Sequence, residues 1–497
     1  MNTRNRSLEH ISIALFLIIS TFSSILTART KIHDLDRLVA QLLGDTPLVE
    51  DLRQLTDEIG GRPQGTEANR RSVIWALDRF KNAGVDAHAE AFTVPKLWLE
   101  RSATARVHGD VSFSLRIASM PFSIPTPNGE LVAPLLDGGT GSEEDFERLG
   151  DLAHNALILV ETPLLVDFEG LFKQFTVAAD IQRRVENVGV AGIVYVSSRP
   201  PGRLYRQNAP LGKDNKLPML IVERDAGMRL LRLLRSGHKL ELSVVLDIEV
   251  GGPFESHNVI AEIQGRECPE EIVVIGAHLD SWGLGQGALD NGCNVAMLID
   301  IARQIRRLDI RPRRTIRFCL FNGEEVGFLG SWGYTTTHAK ELDRHVLAQS
   351  YDVGSGRITG FFTNGRPELE RAVEQSLKPV QGLGPFEHNA NPIAGTDNYD
   401  FMLQGVANIV AIQEMVNYTT NYHAESDTFD KVDQRQLRLN AAIAAAVTWS
   451  FAEMSLDLKR QTRSQVQTII DTTDLGDRMR SSWRMEAWEK GERGLPK

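Results

Sequence analysis

The sequence predicts an α/β protein in which a mostly parallel central sheet is flanked by helices. The apolar run 272–275, Ile-Val-Val-Ile, is typical of a strand that is covered on both faces. From Ser256 onward, strand-like and helix-like segments alternate, which favours helices packed on a largely parallel sheet. Between residues 112 and 250 this alternation gives way to short β-like runs and short helices. We therefore expect an inserted α+β module in that stretch.

Each predicted element rests on its own pattern. Residues 66–84 form a capped amphipathic helix, because Val73, Leu77 and Phe80 recur at helical spacing and Gly84 stops the pattern. An extended segment follows through Val94. The insert contains short strands at 156–161, 192–197 and 218–223 and a short helix at 225–235. Beyond it the sequence predicts strands at 258–263, 271–277, 315–321, 346–351 and 406–413 and helices at 294–307 and 434–454.

These patterns divide the chain into parts. The main domain is discontinuous, with residues 29–111 and 251–456, and the insert takes residues 112–250. Residues 457–497 are expected to be a charged C-terminal tail, because they mix Lys, Arg, Asp and Glu with scattered apolar residues. The sequence indicates no function for that tail. Two or more units fit a chain of 497 residues, since domains of roughly 100 to 200 residues are the rule.

Composition excludes some classes of partner. The chain has 65 acidic and 55 basic side chains, a formal net charge of -10, and no basic stripe. A nucleic-acid partner is therefore not expected. Three cysteines, Cys268, Cys293 and Cys319, are too few for a disulfide framework, and we expect Cys293 and Cys319 to be buried thiols.

The first 28 residues have the order of a signal peptide. Arg4 and Arg6 precede an apolar run, and the small residue Ala28 precedes charged sequence. This pattern predicts export, to a secreted or periplasmic location, with no stable membrane span after cleavage. The alternative is an uncleaved N-terminal anchor.

Acidic and imidazole side chains follow four predicted strands or lie in a late loop. They are His278, Asp280, Asp290, Glu324, Glu325, Asp352 and His423. Taken singly, each has a plain explanation, since an Asp at a strand end is often a helix cap and a His is often simply hydrogen-bonded. Together they are harder to dismiss, because several carboxylates in one crevice repel one another unless cations compensate them. Two His nitrogens with carboxylate oxygens suit zinc, and two ions about 3.5 to 4 Å apart can share a bridging carboxylate. Asp290, at the centre of the set, is the candidate bridge.

The motifs HLD, LDNG, NGEE, YDVG and YHAESDT, in this order and at these separations, resemble those of the M28 family of di-zinc peptidases. The segment GGRPQGTEANRR is similar to the family's opening helix, and GVAGIVYVSS with LPMLIVERDAGMRLL resembles its protease-associated insert. The resemblance implies a zinc-exopeptidase fold. Within the family the likeness is strongest to the carboxypeptidase Q type, which implies a secreted dipeptidase acting on dipeptides or short peptides, and a homodimer.

The resemblance also implies a role for each residue. His278 and Asp352 would bind one zinc ion, Glu325 and His423 the other, and Asp290 would bridge both. Glu324 would be the general base that acts on a hydroxide bridging the two metals, and Asp280 would orient the imidazole of His278. Asn291 departs from the second Asp that many relatives carry after the bridge, and the family often has a cis peptide at that position.

The resemblance leaves several alternatives open. One is a zinc aminopeptidase on longer peptides, and others are a glutaminyl cyclase-like transferase with a single zinc ion and a non-catalytic interaction protein. Asp397 or Tyr399, in AGTDNYDF, could border the specificity pocket. Equally, Asp397 could cap a helix that begins near Asn398.

Overall fold

The computed structural model describes residues 34–207, 215–482 and 484–497. The predicted signal peptide, residues 1–28, lies outside the described residues. Within them, no helix has both the length and the apolar character that a membrane crossing requires. Cys268, Cys293 and Cys319 are free thiols, and Cys293 and Cys319 are buried as the sequence predicts.

The main domain is built on a seven-stranded sheet with the order β1-β10-β12-β11-β13-β15-β14. The four neighbours β12, β11, β13 and β15 run parallel, whereas β10 and β14 run antiparallel to the strands beside them. The predicted α/β class is confirmed. The strands are β1 (Asp86–Val94), β10 (Phe254–Ile263), β11 (Cys268–His278), β12 (Arg314–Phe321), β13 (His345–Ser350), β14 (Ile358–Phe362) and β15 (Asn408–Gln413).

The central strands are covered on both faces, because successive side chains of a strand point to opposite sides. In β11, Val273 and Ile275 join the larger apolar core, whereas Ile272 and Val274 join a smaller core on the other face. All eight residues of β12 are buried. This burial explains why continuous apolar runs, rather than alternating patterns, mark these strands in the sequence.

Helices pack on both faces of this sheet and on the second one. The predicted helices at 66–84, 294–307 and 434–454 correspond to α3, α7 and α12. The helices are α1 (residues 34–42), α2 (Leu48–Arg53), α3 (Glu67–Asn82), α4 (Glu143–Leu149), α5 (Phe168–Val188), α6 (Arg224–Arg235), α7 (Cys293–Arg307), α8 (Leu329–Thr337), α9 (Glu368–Leu377), α10 (Asn398–Leu403), α11 (Tyr418–Asn421), α12 (Gln434–Glu453), α13 (Arg463–Thr472), α14 (Leu475–Ser481) and α15 (Met485–Lys490).

The insert has an eight-stranded sheet of its own, in the order β3-β2-β9-β5-β6-β7-β8-β4. Its strands are β2 (Leu97–Gly109), β3 (Phe113–Leu115), β4 (Ile117–Ser119), β5 (Leu131–Asp137), β6 (Leu157–Val160), β7 (Gly192–Val196), β8 (Met219–Val222) and β9 (Leu240–Gly251). The predicted start of the insert at residue 112 is wrong. Strand β2 pairs with β9 along its whole length, so the insert begins near Leu97.

The description of residues 457–497 as a charged tail is also wrong. This segment forms α13, α14 and α15, and its apolar side chains build a core with residues of α10. Trp488 is completely buried, and Arg463 stacks on its ring at 3.8 Å. Arg493 forms a buried ion pair with Asp400 of α10, at 2.6 Å. Some of the charged residues that suggest a solvated tail therefore hold this segment against α10.

Candidate metal centre

The predicted site residues meet at the carboxyl edge of the main sheet. His278 is the last residue of β11, Asp352 follows β13, and Glu324 and Glu325 follow β12. Because β12, β11 and β13 are parallel neighbours, their carboxyl ends lie side by side. The structure therefore brings these four side chains to one crevice.

His278, Asp290 and Asp352 form the first of two buried clusters. Nε2 of His278 lies 2.9 Å from Oδ1 of Asp352 and 3.1 Å from Oδ1 of Asp290. The three candidate ligand atoms all lie within 4.8 Å of one another. This is the set predicted for the first metal ion.

Asp290, Glu325 and His423 form the second cluster, whose ligand atoms also lie within 4.8 Å of one another. Nε2 of His423 lies 2.9 Å from Oε2 of Glu325 and 3.3 Å from Oδ2 of Asp290. Asp290 thus presents one carboxylate oxygen to each cluster. The sequence predicts that the bridging residue belongs to both clusters.

The electrostatics of the two clusters favour bound cations. Burial raises the pKa of Glu325 to about 7 and raises the pKa of Asp352 above its usual range. Burial alone would lower the pKa of His423, but Glu325 and Asp290 outweigh it and raise the value to about 9. Oε1 of Glu325 and Oδ2 of Asp290 are buried and accept no hydrogen bond of standard geometry. Anionic oxygens without partners are costly in an interior, and a divalent metal ion would satisfy them.

Glu324 belongs to neither cluster, although it lies beside both. It is 8% exposed and borders the cavity that opens from the clusters. Burial raises the pKa of its carboxyl well above the usual range. A carboxylate that lies at the metal site but does not itself bind a metal ion is suited to act as a general base.

Asp280 contacts His278 through both its main chain and its side chain. Nδ1 of His278 lies 3.0 Å from the carbonyl oxygen of Asp280 and, at ion-pair distance, 3.7 Å from its Oδ1. The carboxylate also accepts the backbone N–H groups of Glu324 and Glu325, at 3.3 and 3.4 Å. Asp280 therefore ties the turn after β12 to the end of β11. The expected carboxylate contact to the imidazole is present, and the carbonyl oxygen of Asp280 makes the shorter contact.

The turn that carries Asp290 is held by Asp427. The carboxylate of Asp427 accepts the backbone N–H groups of Ala288, Leu289 and Asp290 at distances between 2.7 and 3.1 Å. The peptide bond between Asp290 and Asn291 is cis. Asp427 is the Asp of the motif YHAESDT, but the sequence does not predict its supporting role.

A second missed residue is Arg62, which fixes the loop between His278 and Asp290. Its buried guanidinium donates to the carbonyl oxygens of Leu279, Gly287, Gln286 and Gly60, at 2.7 to 2.9 Å. One planar side chain therefore holds several turns of backbone in register. Arg62 lies in the segment GGRPQGT, where no pattern in the sequence distinguishes it from scaffold.

The insert holds the loop that carries His423. Nδ1 of His423 lies 3.1 Å from the carbonyl oxygen of Arg206, and the N–H of Arg206 donates to the carbonyl oxygen of His423 at 2.9 Å. Arg206 is itself held by Glu100 of β2, at 2.9 Å. The insert therefore positions one of the candidate ligands.

A cavity of about 440 Å³ opens from the two clusters. Residues 393–396 form part of its wall, whereas Asp397 and Tyr399 do not line it and are buried behind that wall. The side chain of Asp397 makes no capping hydrogen bond to α10. The helix begins at Asn398 as predicted and Asp397 occupies its N-cap position, but the Asp397 side chain neither caps the helix nor borders the cavity.

Comparison with known proteins supports the family resemblance. Residues 258–448 match the model of peptidase family M28. Carboxypeptidase Q of Mus musculus is 25% identical over 417 residues, which cover 83% of this chain and 87% of the mouse protein. The resemblance to M28 peptidases that the sequence motifs indicate is therefore confirmed.

Solved structures extend the comparison to the whole fold. A peptidase M28 precursor from Shewanella amazonensis superposes with a TM-score of 0.78 and 26% identity, covering 87% of this chain and 99% of that chain. A zinc aminopeptidase from Bacillus subtilis has a TM-score of 0.65 and 19% identity, with 83% and 96% of the two chains covered. The latter likeness shows a shared fold alone. The matched residues 258–448 contain both clusters and Glu324, whereas β2 to β9 and the C-terminal helices α13 to α15 lie outside them.

Proposed function

We propose that this protein is a di-zinc exopeptidase that hydrolyses dipeptides or short peptides. The observation that carries the proposal is the pair of clusters that share Asp290. One ion would be held by His278 and Asp352, the other by Glu325 and His423, with Asp290 in contact with both. Zinc ions bound there would acidify a water molecule and polarise the scissile carbonyl group.

The residues around the clusters supply the rest of the chemistry. Glu324 borders the cavity beside the shared carboxylate, where its side chain can accept a proton from the attacking water and deliver it to the leaving amine. Asp280 fixes the turn that carries this base through two backbone N–H groups. The hydrogen bonds of Arg62 and Asp427 hold the backbone that leads up to Asp290 in place.

The proposal is tested by metal analysis combined with a substrate panel. We expect two zinc ions per chain after loading and dialysis, and hydrolysis of dipeptides in preference to tripeptides and aminoacyl anilides. Preference for the longer substrates would point to the aminopeptidase alternative. One zinc ion per chain, without peptide hydrolysis, would instead support a cyclase-like enzyme.

Three further features belong to the same proposal. The sheet of β2 to β9 would be a protease-associated unit, the chain would be exported by its N-terminal signal, and it would form a homodimer. N-terminal sequencing of the exported protein tests cleavage near Ala28. Light scattering of the purified protein tests the dimer.

Removing the carboxylate of Asp427 is expected to weaken metal binding without removing a ligand. Asp427→Ala leaves three buried N–H donors of the Asp290 turn without partners, so Asp290 loses its fixed position. Loss of such an outer partner typically costs about 10- to 100-fold in metal affinity. Zinc affinity is measured by competition with a chelator. The matched control is Asp430→Ala, three residues further on, because Asp430 is exposed and pairs with Lys431. Equal zinc affinity in the two variants would contradict the assigned role.

A further inference from the structure

The C-terminal helices form one wall of the cavity that opens from the metal centre. Asp290, Glu324 and Glu325 border the cavity at one end, and Arg478, Arg484 and Arg493 also line it. The three arginines come from α14, from the turn before α15 and from the residues after α15. They belong to the segment outside the residues that match the family model. The cavity therefore has an acidic part, which suits metal ions, and a basic part contributed by this segment.

Two of these arginines have acidic partners within the protein. Arg493 is bonded to the buried carboxylate of Asp400 through two nitrogens, at 2.6 and 2.7 Å. Arg478 pairs with Asp474 at 2.5 Å and lies over the ring of Phe172. Both charges are thereby compensated before any ligand arrives.

Arg484 differs from its neighbours. Within the described part of the chain, no carboxylate lies within ion-pair distance of its guanidinium. The side chain donates one hydrogen bond, of 3.1 Å, to the carbonyl oxygen of Ala394, which also lines the cavity. Its guanidinium lies 4.1 Å from the ring centre of Phe328 and 5.2 Å from that of Tyr399. The aromatic rings hold the group in place but provide no counter-charge.

Arg484 is partly buried, and a cation that is removed from water without a counter-ion is costly to maintain. Burial lowers the pKa of Arg484 to about 10, which still leaves it charged at neutral pH. Most of its N–H donors are not used by Ala394, and a guanidinium presents such donors in a planar fork that matches a carboxylate. An anionic group in the cavity would therefore gain both charge compensation and paired hydrogen bonds.

We propose that Arg484 is a specificity-determining residue that binds a carboxylate of the peptide substrate. This inference rests on the proposed peptidase function. With the scissile bond at the metal end, the carboxylate that reaches Arg484 is either the C-terminal α-carboxylate of a short peptide or an acidic side chain near it. The chemistry of recognition is the same in both cases.

The test compares substrates that differ only in this charge. Zinc-loaded wild-type enzyme is assayed with Leu-Ala and Leu-Ala-amide, which report on the α-carboxylate. Leu-Glu-amide and Leu-Gln-amide report on an acidic side chain. We expect the wild type to prefer the carboxylate member of at least one pair. In Arg484→Gln, KM for that member should rise about 10- to 100-fold with a small change in kcat, and the preference within the pair should collapse. Zinc content should remain that of the wild type.

Three variants sharpen the result. Arg484→Lys should restore part of the preference, because it returns the charge without the fork. Arg484→Met removes the charge and keeps apolar contact with Phe328, so it replaces the Gln variant if that variant does not fold. The matched control is Arg480→Gln on α14, since Arg480 is 62% exposed and pairs with Asp477. It should keep the wild-type preference.

Two outcomes overturn the inference. One is an equal loss, or no loss, on carboxylate and amide substrates in the Arg484 variants. The other is wild-type enzyme with the same kcat/KM for both members of both pairs, and this result needs no variant. Failure of the zinc-loaded wild type to hydrolyse any of the four substrates would instead reject the proposed peptidase function, so the two failures are distinguishable.

Discussion

Replacing Glu324 with glutamine is expected to remove most of the hydrolysis while leaving metal binding intact. The amide has nearly the shape of the carboxylate but cannot accept a proton from the attacking water. Loss of a positioned general base typically costs about 10²- to 10⁴-fold in rate. Glu324 belongs to neither ligand cluster, and the backbone N–H that it gives to Asp280 is unchanged by the substitution. The measurements are kcat on a dipeptide and zinc content after dialysis.

The adjacent residue provides the contrast. Glu325→Gln alters a member of the second cluster, so we expect that variant to lose zinc together with activity. Glu324→Gln should lose activity alone. Turnover in Glu324→Gln close to that of the wild type would remove Glu324 from the role of general base. Loss of zinc in that variant would place Glu324 among the ligands instead.

The sequence predicts elements well where a local pattern is sufficient. The runs that form β11 and β12 are apolar throughout because both faces of these strands are covered, and the predicted bounds lie within three residues of the observed ones. The alternation of strands with helices predicts that neighbouring strands of the sheet run parallel. Because the carboxyl ends of such strands meet at one edge, the sequence could also predict that His278 and Asp352 would lie close together.

The predictions fail where pairing is distant in the chain. The predicted main domain includes the residues of β2, since nothing near them shows that their partner is β9, more than 130 residues later. The frequent charges of the C-terminal segment predict a solvated tail. In the structure, Arg493 docks on Asp400 and Trp488 fills the core beneath, and neither partner can be inferred from the segment itself.

The metal centre likewise contains residues that the sequence could predict and residues that it could not. The residues of the two clusters could be predicted from motifs, and the structure brings them together; their roles as ligands remain proposals. The supports could not be predicted, because each of them acts through the main chain of a distant segment. Arg206 of the insert contacts His423, and Arg62 holds the loop before Asp290. Every residue has a backbone carbonyl group, so the sequence does not show which of these groups a side chain will bind. Residues that bind them therefore cannot be distinguished from purely structural residues.

Replacing Asp290 is expected to affect both metal ions at once. Oδ1 of Asp290 lies 3.1 Å from His278 in the first cluster, and Oδ2 lies 3.3 Å from His423 in the second. Asp290→Ala therefore removes a candidate ligand from each cluster, and it also removes the negative charge that would lie between the two proposed zinc ions. We expect the loss of zinc affinity to exceed the roughly 10- to 100-fold that follows removal of an outer partner, with loss of hydrolysis.

The comparison with Asp352→Ala makes this expectation specific to a shared ligand. Asp352 belongs to the first cluster alone, so that variant should retain one tightly bound zinc ion, whereas Asp290→Ala should retain neither. Chelator titration with metal analysis counts the ions, and melting temperature with and without zinc shows whether each variant still folds and gains stability from the metal. If Asp290 were a ligand of only one zinc site, Asp290→Ala would keep one zinc ion, as Asp352→Ala is expected to do. That result would contradict a bridging carboxylate, because only a ligand held in common couples the occupancy of both sites.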